Sequence, residues 1–414
     1  MLANHFKPST RSAIPSAWDA SAHGLWLRGE PVQAITTALN STRGSASAER
    51  LGRFSQAAYY MFLIGDFGSA GQIYGLALQD AELDPASMQA HHLRLNLAAC
   101  HGRMGRDADA VALAREAASN RPDDFKAYDI LAHSLGLLGQ TGPASQAGTR
   151  ALQLKDALTH QHTARLNWPP AQDARADAAP GKQDVIAFSL WGSAPRYLRG
   201  MLRNLLLAHD MMPGWIVRIY TDASLDAEFV GLVQSLGAQV VMQPSGAPTR
   251  VRLCWRFQVA NDPAVRRFLV RDADATISVR EAMAVQAWVQ SGRCFHVIRD
   301  WWSHTDLMLA GLWGGMANVL PPLAPLQQAY TPHAMETANL DQWFLRDVVW
   351  PYVRQSCLVH DRCFRFGDVE RPPQAPAVAG SHMGQNESAN VHVDQQRWLA
   401  PWIERYPCLQ EQRA

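Results

Sequence analysis

Two carboxylates, Asp272 and Asp274, stand one residue apart in "FLVRDADATISVRE", residues 268–281, directly after an apolar run. Like charges that close resist ionising together unless a cation compensates. Either a neighbouring arginine, Arg271 or Arg280, neutralises them, or they address a divalent metal. Magnesium and manganese take oxygen ligands and typically bridge one or two carboxylates to a diphosphate. A metal held there would stabilise the charge on a departing nucleoside diphosphate.

The acids need a scaffold, and the surrounding pattern supplies one. "DVIAFSLWG" (184–192), "WIVRIYTD", "AQVVMQ" and "RRFLVRDAD" read as strands, with "RYLRGMLRNLLLAHDMM", "LDAEFVGLVQSLG" and "RLCWRFQVAND" as helices between them. Alternating strands and helices predict a mainly parallel, Rossmann-like sheet covered on both faces. Ligands of such sheets bind at the carboxyl ends of strands, where Asp272 and Asp274 fall. No GxGxxG follows the first strand and no GxxxxGKS/T occurs, so dinucleotide and P-loop chemistry lose their main support. A nucleotidyltransferase would share the acids but usually wants a basic Gly-rich loop, which is absent.

Six features follow in order: "VIAFSLWG", "WRF" at 255–257, "RDAD" at 271–274, "GGM" after "GLW" at 311–316, "DQWFL" at 341–345 and "VHD" at 359–361. On these, residues 184–390 resemble the GT-A glycosyltransferases, the nucleotide-sugar transferases with a DxD signature. The resemblance implies transfer of a hexose or similar sugar from a nucleoside diphosphate to a hydroxyl, with Mn2+ or Mg2+ as cofactor. It implies Asp272 and Asp274 as metal and nucleotide ligands, with a late histidine beside them. His360 is the first candidate, because it ends an apolar run; His382 in "GSHMGQN" is the second. Asp341 and Gln342 open a helix near the transferred sugar, Asp341 as base or as orienter of hydroxyls, with the role of a helix cap also open.

Arg256 reaches either the diphosphate or Asp272. Arg271 flanks the acids. Phe188 and Ser189 lie in the strand expected to wall the base pocket, with Tyr197 stacking there. Trp301, Trp302 and His304 lie in a polar, aromatic segment suited to a sugar. Gly311, Gly314 and Gly315 form a turn that lets backbone approach a ligand.

The first third carries no such chemistry. Gly105 and Gly139 lie 34 residues apart, and Ala98 with Ala132, Ala110 with Ala144 and Ala117 with Ala151 keep that spacing. Ala58, Gly65, Ala70 and Ala77 repeat the internal offsets, and a weaker unit surrounds Gly29. Over about 140 residues this resembles the tetratricopeptide repeat, helix pairs that stack to bury their faces. The expected organisation is a helical repeat domain (1–157), a linker (158–183) rich in Ala, Pro and Asp, and an α/β GT-A-like domain (184–414). The repeats would dock a protein or glycan acceptor, or pair two copies of the chain.

Hydrophobic residues make up 47% of the 414 and charged ones 18%, enough apolar content for a large core. A net charge of +1 (38 − 37) gives no reason to expect nucleic acid as partner. No apolar run suits a signal peptide or a membrane span. The six cysteines form no CxxC pair and read as reduced, which suggests a cytoplasmic protein. The rival function is a transferase-like scaffold without activity.

Overall fold

The computed structural model describes residues 14–163, 181–332, 339–374, 380–385 and 393–410. The chain forms two compact units, one built on Met1–Lys155 and the other on Asp156–Tyr330, Asn339–Arg362 and Gly367–Ala414.

The described residues of the first unit form helices: α1 (Ala20–Arg28), α2 (Pro31–Asn40), α3 (Ser47–Leu63), α4 (Phe67–Leu78), α5 (Met88–Arg103), α6 (Asp107–Asn120), α7 (Phe125–Leu137) and the part of α8 (Thr141–Thr163) up to Lys155. From α1 to α6, each helix packs on the next in sequence. Gly29, Gly65, Gly105 and Gly139 each follow the first helix of a pair, with φ of 84°, 88°, 72° and 75°. Only glycine adopts that backbone without strain, which explains the turn residue of the repeat. The alanines of the repeat (Ala58, Ala70, Ala77, Ala98, Ala110, Ala117, Ala132, Ala144 and Ala151) are all at 0% exposure. Their missing bulk lets the helices of a pair close on one another. These are tetratricopeptide-like helix pairs. α8 runs to Thr163, past the limit of 157 read from the sequence; residues 164–180 of the expected linker lie outside the described residues.

The second unit holds a seven-stranded sheet of order β3-β2-β1-β4-β6-β5-β7. Its elements are β1 (Gln183–Ser189), α9 (Pro195–Met211), β2 (Trp215–Thr221), α10 (Ala227–Ser235), β3 (Gln239–Met242), α11 (Thr249–Cys254), β4 (Val265–Arg271), α12 (Val279–Ser291), β5 (Phe295–Arg299), β6 (Leu312–Met316), α13 (Leu323–Ala329), α14 (Leu340–Phe344), α15 (Trp350–Val353), β7 (Cys357–Asp361) and α16 (Val393–Arg405). A tight helical segment, Trp255–Asn261, joins α11 to β4. β6 is antiparallel to β4 and β5, while the other pairs are parallel. The stretch read as a Gly-rich turn is therefore a central strand.

Side chains alternate across a strand, and the core divides accordingly. Ile186, Phe188, Ile219 and Leu269 pack under α9, α10 and α12. Phe268 and Trp313 face the other way: Trp313 meets Phe268 and Phe257 edge-on, and Phe257 in turn stacks on Phe344. Both faces are covered, so the polar groups of the unit gather at the strand ends.

Candidate functional site

β1 continues to β2 and β3 on one side, and β4 lies on the other. The order reverses between β1 and β4, and a crevice outside the carboxyl ends of such a pair is where open α/β sheets bind ligands. Asp272 and Asp274 stand just past the end of β4, in a turn closed by the Ala275 N–H donating to the Asp272 carbonyl (3.3 Å).

Asn204 in α9 holds that turn. Its Nδ2 donates to the carbonyls of Ala273 (3.2 Å) and Ala275 (2.6 Å), and its Oδ1 accepts from the Ile277 N–H (3.0 Å). Asn204 is completely buried. One turn earlier, Gly200 lies against the same loop; a Cβ there would sit 2.3 Å from the Ala273 carbonyl oxygen. Small bulk and a fixed amide thus aim the two carboxylates. The Asp272 side chain is 47% exposed and that of Asp274 17%. Burial, followed by the charge of Asp272, raises the proton affinity of Asp274 above the ordinary carboxylate range.

Two cations lie beside them, Arg196 near Asp274 and, on Asp272, Arg256. Its Nη1 donates to Asp272 Oδ1 (2.5 Å) and to the Arg271 carbonyl (2.8 Å), and its Nη2 to Asp341 Oδ2 (3.2 Å). Both readings of Arg256 centred on this neighbourhood, and the ion pair with Asp272 is present. Asp341 is buried in the first turn of α14, and its Oδ1 accepts from the Gln342 N–H (2.9 Å). Burial lifts its pKa to about 6, although Arg256 pulls the other way. A carboxyl in that range suits proton transfer near neutrality. The cap position of α14 belongs to Asn339, not to Asp341.

Other expected residues are placed elsewhere. Arg271 turns from the acids to pair with the buried Glu281 and donates to the Val270 and Trp313 carbonyls. Arg280 pairs with Asp300 at 2.8 Å. Neither neutralises the acid pair. Phe188 is in the core beneath α9. Ser189 remains at the strand end, its Oγ accepting from the Arg256 N–H (3.0 Å). Tyr197 stands at the start of α9 under the Arg196 guanidinium, which lies 4.0 Å from Asp274. His304 accepts from the Asp300 N–H at Nδ1 (2.9 Å), and the Gln342 amide reaches Asp306 (3.4 Å) rather than the acids.

Gly314 and Gly315 serve the sheet: a Cβ on Gly314 would lie 2.5 Å from the Phe268 carbonyl oxygen, and one on Gly315 2.4 Å from the Phe295 ring. Gly311 is the glycine that matters to the acids, because a Cβ there would lie 2.0 Å from Asp272 Oδ2.

His360 is not brought to the acids. It is the penultimate residue of β7, three strands from β4, and is buried against His296 (His296 Nε2 to His360 Nδ1, 2.8 Å). His382 lies in the segment 380–385, its ring stacked on Trp301 at 5.1 Å. Among the described residues no group of three or more His, Cys, Asp or Glu is placed to hold a metal.

No family model and no curated protein matches this chain. Solved structures give distant likenesses. A MamA double mutant matches at 15% identity over 36% of this chain and 83% of that one, with a TM-score of 0.29. A point mutant of the Thermobaculum terrenum O-GlcNAc transferase matches at 18% identity over 51% and 44%, with 0.28, so the alignment spans under half of that chain. Haemophilus influenzae LpoA matches at 12% identity over 83% and 64%, with 0.23.

The sequence ends the second strand at Asp222, next to the observed end of β2 at Thr221, but singles that residue out for no role. Asp222 is buried there, accepts from Ser224 N–H (3.0 Å) and lies 2.8 Å from Arg252 Nη2. The Ser224 hydroxyl in turn accepts from the Gly192 N–H (2.9 Å) and ties the loop after β1 to β2. "YTDAS" carries the available signal: an acid ending an apolar strand, as in "VRDAD".

Proposed function

We propose that the second unit is a metal-dependent glycosyltransferase of the GT-A type, moving a sugar from a nucleoside diphosphate to an acceptor hydroxyl. One observation carries this reading: Asp272 and Asp274 share a braced turn at the β1/β4 switch point, joined through Arg256 to the buried Asp341. The acid pair fits a hard divalent cation, because it offers carboxylate oxygens that are partly exposed, and Gly311 makes room for the Asp272 carboxylate itself. Two protein ligands suffice for a cation whose remaining positions go to water and diphosphate oxygens. When bound, Mn2+ or Mg2+ would supply charge stabilisation to the departing diphosphate.

The chain's own residues have distinct tasks. Ser189 and the loop after β1 border the nucleotide, with Tyr197 beside it. Arg256 fixes the relative position of Asp272 and Asp341. The acceptor oxygen bonds to the anomeric carbon as the bond from that carbon to the diphosphate oxygen breaks. The acceptor proton passes to Asp341, and the bonding electron pair leaves on the nucleoside diphosphate. The helix pairs of the first unit serve as a docking surface for a protein or glycan acceptor.

The test is Asp274→Asn, which preserves shape and removes one charge. Titration calorimetry of a nucleoside diphosphate with Mn2+ should lose its binding signal, while the melting temperature holds or rises as two repelling carboxylates become one. Retained binding with a lowered melting temperature would remove the metal from this site. A wild-type chain that ignores Mn2+ and nucleotide altogether would favour an inactive scaffold.

A further inference from the structure

Asp300 follows β5 directly and has no exposed surface. Its carboxylate accepts from Arg280 Nη1 (2.8 Å) and Nη2 (3.0 Å) and from the Met383 N–H (2.8 Å), and Arg362 Nε lies 3.1 Å from Oδ1. Its carbonyl accepts from Arg362, and its own N–H donates to His304. Burying a carboxylate with two guanidinium groups carries a large desolvation cost. Here that arrangement fixes irregular backbone, the turn after β5 and the segment 380–385.

The fixed backbone presents rings. Trp301 and His382 stack at 5.1 Å and 15°, His304 meets His382 edge-on at 5.0 Å, and the Arg362 guanidinium lies 5.4 Å over Trp301. Trp301 and His382 are half-buried. Because His304 Nδ1 accepts, the neutral ring carries its proton on Nε2.

This platform stands on the sheet edge that carries the acids, where β5 ends and β6 begins. Gly311 abuts Asp272, and the next residue, Leu312, abuts Gly384, whose Cβ would lie 2.6 Å from Leu312 Cδ1. On the other side, Asp306 is reached by Gln342, the neighbour of Asp341.

We propose that the Asp300-anchored platform of Trp301, His304 and His382, with Asp306 and Gln342, is the acceptor subsite, and that the acceptor is a sugar ring. An aromatic face takes the apolar face of a pyranose, while imidazole, carboxylate and amide pair with its hydroxyls. The inference rests on the transferase reading and narrows its acceptor from any hydroxyl to a glycan.

The full chain is mixed with methyl glycosides of glucose, galactose and mannose, and separately with a serine-containing peptide. Tryptophan fluorescence reads binding; nucleotide release from a panel of nucleoside-diphosphate hexoses reads transfer. A glycoside should change the fluorescence saturably and accelerate donor consumption. In Trp301→Ala the ratio of glycoside KM to donor KM should rise about tenfold, the loss expected for one aromatic contact. His382→Ala, in a loop, carries the same test should Trp301→Ala fail to fold. The inference is overturned if neither variant moves that ratio, if the peptide is accepted and glycosides are not, or if His382→Ala lowers Mn2+ affinity and spares the glycoside. Failure of the underlying reading looks different: no nucleotide sugar is consumed and nucleotide binding ignores Mn2+. Glycoside-dependent fluorescence lost in Trp301→Ala would then still support the sugar platform.

Discussion

Arg256 and Asp341, 85 positions apart in sequence, are joined by a buried hydrogen bond of 3.2 Å. The same guanidinium holds Asp272, so the acid nearest the proposed metal and the acid nearest the proposed proton share one cation.

The ionisation of Asp341 should govern the rate. Its folded pKa of about 6 lies above its ordinary 3.8. The carboxylate that accepts a proton forms only as pH rises through about 6, so kcat/KM for transfer should climb there. The sign for stability is opposite: a raised carboxyl pKa contributes stability that is present below 3.8 and is lost as pH rises through about 6. A pH–rate profile of wild type against Asp341→Asn checks this, since the variant should lose that limb and most of its rate.

Gly311→Ala should disable the acid pair without unfolding the chain. Its Cβ would meet Asp272 Oδ2 at 2.0 Å, and the carboxylate must swing away. Displacing a metal-binding group commonly costs about 10- to 100-fold in affinity. Calorimetry with Mn2+ and nucleoside diphosphate, beside circular dichroism, would separate this from misfolding.

Asn204→Ala should destabilise the second unit by about 2 kcal/mol, because it leaves buried backbone groups of the acid-bearing turn unpaired. Urea denaturation measures the loss. Nucleotide binding should weaken with it, as the turn loses the amide that shapes it.

The His296–His360 pair should make the fold acid-sensitive. Burial holds His360 at about 4 and His296 well below its ordinary 6.5. Both are neutral when folded, whereas an unfolded chain protonates them from 6.5 downward. Their contribution to stability is full above 6.5 and declines as pH falls towards about 4. Urea midpoints at pH 7.5 and pH 5 should differ in wild type and converge in a His296→Leu/His360→Leu variant.

Much of this architecture was legible because parallel strands buried on both faces leave long apolar runs, and "VIAFSL" and "FLVR" announce themselves. The helix pairs were legible from small residues at fixed offsets. Partnership was harder. Arg271 is adjacent to Asp272 in sequence, yet successive strand residues point to opposite faces, and it pairs with Glu281 instead. Arg256, sixteen positions earlier, arrives because its segment crosses the strand ends. His360 was rightly read at a strand end, but nothing local encodes that β6 and β5 intervene between β7 and β4. Gly314 and Gly315 were read as a turn because two glycines seldom occupy a central strand. Their reason is cross-strand crowding by Phe268 and Phe295, visible only once the strands are paired.

The reversed direction of β6 has a consequence for how such a domain can diversify. β5 arrives at the edge bearing Asp272 and β6 departs from it, so residues 300–311 begin and end at that edge. Insertions within this connection would lengthen the rim beside the acids while every strand kept its register. A change of a single loop would thus alter what meets the acids and leave the sheet as it is.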